Sequence, residues 1–173
     1  MEIKRDDLEN PRGGDCENLG KMVCWHPRYK MGDEMPKMEP SEWYETNLKG
    51  REGAIYLPLF LLDHSGITMR TASFRDPWDS GQVGWIYVTD DGIKSYFSHT
   101  GEMTEELKER ALKVLETEVR LYDNYLTGDV WCCSDGDEVF GGFYGSTLEE
   151  TGLFEHFGED RKKEVEEAWE KRI

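Results

Sequence analysis

The chain has 173 residues, with 37 Asp or Glu against 21 Lys or Arg, for a formal net charge of −16. A negative field of this size repels phosphates, so the composition excludes unaided nucleic-acid binding and favours a basic partner. Six Trp, eight Tyr and seven Phe exclude a wholly disordered acidic chain, which would be poor in aromatics.

Residues 1–20 are rich in Asp, Glu, Asn, Pro and Gly and are expected to form an extended arm. Met22–Trp25 is a short candidate strand. The Met-, Pro- and charge-rich stretch from Pro27 to Gly53 predicts a long loop, with one helical turn at Ser41–Thr46 capped by Ser41. Ala54–Leu62 reads as a largely buried strand; Pro58 removes a ladder donor and requires an edge position or a bulge. Asp63-His64-Ser65-Gly66 is a turn into a second strand, Ile67–Ser73, making a hairpin. Val83–Thr89 is a third strand, closed by Asp90-Asp91-Gly92.

Thr104–Leu126 is the clearest helix. Thr104 is a suitable cap, and Leu107, Ala111, Val114, Leu115, Tyr122 and Tyr125 recur at helical spacing. Val130–Cys133 and Val139–Tyr144 predict a second hairpin. Ser146 with Glu149 reads as a capping box for a short helix to about Phe157. A last helix from about Asp160 to Arg172 points Val165 and Trp169 inward. Strand pairs built as hairpins, with no βαβ unit, imply an α+β fold: an antiparallel sheet covered by one long helix and C-terminal helices. One domain over residues 1–173 is expected, with residues 146–173 as an acidic helical extension.

The stretch from Asp63 to Thr89 holds most of the unusual chemistry. Asp63, His64, Asp76 and Asp79 lie at strand ends, where converging carboxylates and an imidazole could hold a divalent metal or carry acid–base work. The plainer reading is turn chemistry, with Asp63 and Asp76 capping turns and Asp79 paired to Arg70 or Arg75. Backbone amides of their own turns are the expected partners of Asp63 and Asp79. Trp78, Trp85 and Tyr144 are candidate ligand-binding aromatics. Glycines 81 and 84 are expected to let the backbone turn beside a Trp, and Gly141-Gly142 to make a bulge. Cys24, His26 and Ser65 are a weak nucleophile–base candidate. The cysteines lack CxxC spacing and are read as reduced, buried thiols; no metal and no cofactor are expected. No HExxH, Walker loop or GxSxG is present, so the balance leans away from an enzyme.

Acidity rises along the chain: residues 1–89 hold 15 acids and 11 bases, residues 90–173 hold 22 and 10. Glu105, Glu109, Glu116, Glu149, Glu166 and Glu167 are therefore the candidate partner-binding residues. No apolar run approaches the roughly 20 residues of a membrane span, and MEIKRDDLENPRGGD has no apolar signal region. A cytoplasmic protein without membrane contact is expected.

Five segments resemble a family of uncharacterised proteins of bacteriophages and other mobile elements: Glu17–His26 (ENLGKMVCWH), Leu62–Thr68 (LDHSGIT), Asp76–Gly84 (DPWDSGQVG), Tyr125–Val130 (YLTGDV) and Gly142–Gly145 (GFYG). That resemblance implies a setting among small accessory genes and carries no catalytic residues. Together with the charge, it leads to the expectation of a counter-defence inhibitor of anti-CRISPR or anti-restriction type, imitating DNA toward a basic host protein. The alternative is a small hydrolase or nucleotide-handling protein using Asp63, His64, Asp76 and Asp79.

Overall fold

The computed structural model describes residues 1–7, 10–13 and 16–172. Leu8, Glu9, Gly14 and Asp15 of the expected arm, and Ile173, lie outside the described residues. The fold is α+β, with antiparallel sheets and helices. By its internal contacts the chain divides into two compact units, residues 1–11 with 121–173, and residues 12–120. The strands accordingly divide over two sheets, one in each unit.

The unit of residues 12–120 holds β2 (Lys21–Cys24), α1 (Pro40–Asn47), β3 (Ala54–Asp63), β4 (Ile67–Arg70), β5 (Ser80–Thr89), α2 (Asp90–Tyr96) and residues 105–120 of α3 (Glu105–Thr127); the first strand, β1 (Glu2–Arg5), belongs to the other unit. Its sheet runs β2-β5-β3-β4. Pro58 sits in β3 opposite Trp85 of β5, but β4 pairs only with Phe60–Asp63, so no partner strand needs the missing N–H. The expected bulge is present next to it. The register shifts between Leu59 and Phe60, and Val83 of β5 is the extra residue.

One face of this sheet is aromatic. Val23, Trp43 and Leu48 form its buried cluster, with Trp25, Tyr44, Tyr56, Trp85 and Tyr87 packed against them. The expected loop with one helical turn is thus α1, held down by Trp43 and begun by Pro40 with Glu39 at the cap, not Ser41. On the opposite face Met22, Ile86, Val88 and Leu59 are buried. Gly20 fits between that face and α3: a Cβ there would lie 2.5 Å from Leu115 Cδ2 and 2.6 Å from Ile86 Cγ1. Gly84 is required for a different reason than turning. A Cβ at 84 would stand 1.9 Å from the Val23 carbonyl oxygen, so β2 approaches β5 as closely as only glycine permits. Asp90-Asp91-Gly92 closes β5 as expected and also opens α2, with Thr89 accepting the Gly92 N–H as cap.

A buried ion network ties the start of this unit to α3. Glu118 lies on the apolar stripe of the helix, 8% exposed, and accepts Leu19 N at 2.6 Å, Gly20 N at 3.2 Å and Arg12 Nη1 at 2.8 Å. Arg12 also meets Asp33 at 2.5 Å, and Asp33 accepts Met22 N at 2.7 Å. Burial works against the Arg12 charge, but the two carboxylates outweigh it and raise its pKa.

The unit of residues 1–11 and 121–173 has a three-stranded sheet, β1-β6-β7, from β1 (Glu2–Arg5), β6 (Val130–Asp135) and β7 (Glu138–Tyr144). Residues 2–5, part of the expected extended arm, pair as a strand with β6 from Glu2↔Ser134 to Arg5↔Trp131. The register shift opposite Trp131 and Cys133 falls at Gly141-Gly142, the expected bulge, with Gly142 at φ +80°. Three α-helices follow among the described residues, α4 (Leu148–Thr151), α5 (Leu153–Phe157) and α6 (Lys162–Glu170), with a 3-10 turn at Glu159–Arg161 before the last. The capping box is Thr147 with Glu150, one residue beyond the expected Ser146 and Glu149. Gly152, left-handed at φ +74°, separates α4 from α5. Leu148, Leu153, Val165, Ala168 and Trp169 pack with Ile3, Trp131 and Cys133. The helices between residues 148 and 170 therefore supply side chains to the core of this unit.

Candidate functional site

The hairpin β3–β4 and the loop before β5 bring the Asp63, His64, Asp76 and Asp79 group together. Asp63 N donates to the Asp79 carbonyl at 2.8 Å, which ties the hairpin end to the loop. His64 Nδ1 lies 2.7 Å from Asp79 Oδ2. That hydrogen bond raises the His64 pKa above its ordinary value. Asp76 accepts Asp79 N at 3.0 Å and Trp78 N at 2.8 Å through Oδ1, and these bonds hold its carboxyl below the usual range. Ser80 Oγ donates to the Asp76 carbonyl and closes the loop.

Two expectations for these acids need correction. Asp63 and Asp79 are not satisfied by amides of their own turns: Asp63 pairs with Arg28 and Asp79 with His64. Only Asp76 does the turn chemistry. Arg70, expected as a partner of Asp79, instead donates to the carbonyls of Ala72 and Ser73 and stacks on Phe74. Sequence reasoning misses Arg28, since nothing in its spacing marks a partner 35 residues away. It reaches Asp63 because Trp25 N binds the carbonyl of the bulged Val83 at 2.7 Å, carrying the chain from β2 past the end of the sheet. His26 then folds residues 26–29: its Nδ1 accepts Arg28 N and Tyr29 N, each at 3.2 Å, and its ring stacks on Tyr29. Burial lowers the His26 pKa, which favours the neutral ring that this acceptor role needs.

A groove of about 380 Å³ opens between these pieces, lined among others by Trp25, Arg28, Asp63, Trp78, Asp79 and Gln82. Trp78 is 91% exposed. Trp85 is half-buried, and its ring packs against Tyr44 at 5.2 Å, Trp25 at 5.8 Å and Trp43 at 6.0 Å. Tyr144 belongs to the other unit, at the end of β7. Chemically, His64 held through Nδ1 by a carboxylate is an oriented imidazole able to exchange a proton with a bound molecule. Cys24 is no nucleophile for it, since burial pushes that thiol up to about 12. Among the described residues no three His, Cys, Asp or Glu side chains group as a metal set.

The six candidate glutamates are all exposed. Glu105, Glu109 and Glu116 lie on α3 within residues 12–120, with Glu105 paired to Lys108 at 2.9 Å. Glu149 lies on α4 and Glu166 and Glu167 on α6, with Glu167 3.9 Å from Lys163. The units share the charge unequally. Residues 1–11 and 121–173 carry 18 acids and 7 bases; residues 12–120 carry 19 and 14. The smaller unit thus holds the larger surplus.

No helix among the described residues is long and apolar enough to cross a membrane. No family model, curated protein or solved structure matches the chain.

Proposed function

We propose that the protein is a binding inhibitor that occupies the basic groove of a nucleic-acid-handling protein. The observation that carries this reading is the concentration of acid in the unit of residues 1–11 and 121–173, where Glu149, Glu166 and Glu167 stand in solvent on short helices. Each exposed pair with a partner's Lys or Arg is weak, but charges within a Debye length of roughly 8 Å add over a face and speed encounter. The sequence resemblance supplies the setting: a phage or mobile element opposing a CRISPR effector or a restriction enzyme.

Cleavage of plasmid DNA by purified restriction and CRISPR nucleases, with and without the protein, tests the reading. Inhibition should weaken steeply as salt rises and should vanish when Glu149, Glu166 and Glu167 are changed to Lys. Inhibition that survives this triple change at every salt concentration, or no inhibition of any nuclease, refutes it.

A second reading rests on the 2.7 Å His64–Asp79 pair, which would act as a general base in a small hydrolase. It is weaker, because Ser80 Oγ is spent on the Asp76 carbonyl and Cys24 is held protonated by burial.

A further inference from the structure

We propose that the groove beside Asp63 is a saccharide-binding site with Trp78 as its stacking platform. This site does not depend on the acidic-surface reading. It rests on what the groove displays and on what its charges are already doing.

Trp78 leaves almost its whole indole in water, at 91% exposure. Its backbone is nevertheless held: Trp78 N and the next N–H both bind Asp76 Oδ1, at 2.8 and 3.0 Å. A fixed loop therefore presents an apolar plane that the fold itself does not bury. Large planar rings of this kind give contact area at low entropic cost. Next to it stand side chains with planar polar ends, Arg28, Asp63, Asp79 and Gln82, in one open groove.

Charge decides among the ligand classes. An anion such as a nucleotide meets a chain of net charge −16. A cationic side chain would compete with Arg28 for Asp63 and with the His64 ring for Asp79, since both carboxylates already hold a partner. A neutral polyol breaks neither pair. Carboxylate oxygens keep further lone pairs and a guanidinium keeps further N–H groups after one bond is made. Sugar hydroxyls, each donor and acceptor, can use these, while the C–H face of a pyranose ring lies on the indole. The volume, about 380 Å³, suits one or two sugar rings.

The test follows the indole N–H signals of the ¹⁵N-labelled full chain during titration with maltotriose, chitotriose and lactose, and separately with inorganic phosphate and an Arg-Gly-Arg peptide. At least one saccharide should give a saturable, millimolar shift of Trp78 together with the Arg28 and Gln82 side chains. Phosphate should give none. Trp78→Ala should weaken that binding about tenfold or more, with amide signals outside the loop unmoved, and Trp78→Phe, which keeps a ring, should fall between. Three results overturn the proposal: no shift with any saccharide, unchanged affinity in Trp78→Ala, or tighter binding of the peptide at the same residues.

Discussion

Glu118→Ala should cost the fold about 4 kcal/mol, and the figure follows from what the carboxylate holds. At 8% exposure it is shielded from the solvent screening that makes surface pairs cheap to lose. Its removal takes the acceptor away from the N–H groups of Leu19 and Gly20. Each orphaned buried donor costs roughly 1–3 kcal/mol. Arg12 keeps Asp33 and the Gly20 carbonyl, so its own loss is partial and keeps the total near the middle of the roughly 3–5 kcal/mol range for a broken buried pair. Glu118→Gln retains an acceptor oxygen for the amides and should cost about half as much.

Urea denaturation of both variants measures this, with ΔΔG taken from the midpoint shift at constant slope. A double-mutant cycle with Arg12→Met isolates the pair. The double variant should be more stable than the sum of the single losses implies, by about 1–3 kcal/mol. A loss below about 1 kcal/mol in Glu118→Ala would refute the reasoning: the amides would then have found water or another partner.

Gly84→Ala should cost about 2–3 kcal/mol or more, because its Cβ would meet the Val23 carbonyl at 1.9 Å; thermal melting and near-ultraviolet dichroism of the aromatic cluster check it. Gly81→Ala, whose Cβ would meet nothing within 4 Å, should be near neutral. His64 should titrate above the ordinary value of about 6.5 and His26 below it, as read from their imidazole signals by NMR. By linkage, the His64–Asp79 pair contributes fully below about pH 6.5 and its contribution is lost as pH rises through the raised pKa, whereas His26 favours the fold above about pH 6.5 and destabilises it as pH falls further. Asp79→Asn should lower the His64 pKa toward its ordinary value; an unmoved titration would mean that the 2.7 Å bond does not form in solution.

Elements with strong local periodicity were legible. The long helix, both hairpins, the α+β class and the bulge near Pro58 follow from spacing, caps and a missing donor. The division into two sheets was not, because it rests on β1 pairing with β6 across more than 120 residues, and four residues of mixed polarity carry no signal of such a partner. The group of Asp63, His64, Asp76 and Asp79 was legible as a cluster but not as a set of bonds. Asp-Pro-Trp-Asp announces a turn, and Asp76 does make it, but the choice of Arg28 and His64 as partners is tertiary. Glu118 could have been found. It sits three residues after Leu115 and four before Tyr122, on the apolar stripe, and a carboxylate at such a position must bring its own donors.

Salt separates the two surfaces on which function could rest. The glutamates of α4 and α6 act through field alone, so any association they drive must fade as the Debye length shrinks from about 10 Å at 0.1 M to about 3 Å at 1 M salt. The groove by Asp63 works at contact distance. Its stacking on Trp78 is apolar and its hydrogen bonds come from groups already paired within the protein, so added salt has little charge to screen. Binding that resists salt and fails in Trp78→Ala belongs to the groove. Binding that fades with salt and fails on reversal of Glu149, Glu166 and Glu167 belongs to the acidic unit. The first set of residues lies in 12–120 and the second in 121–173, so each variant leaves the other surface chemically intact.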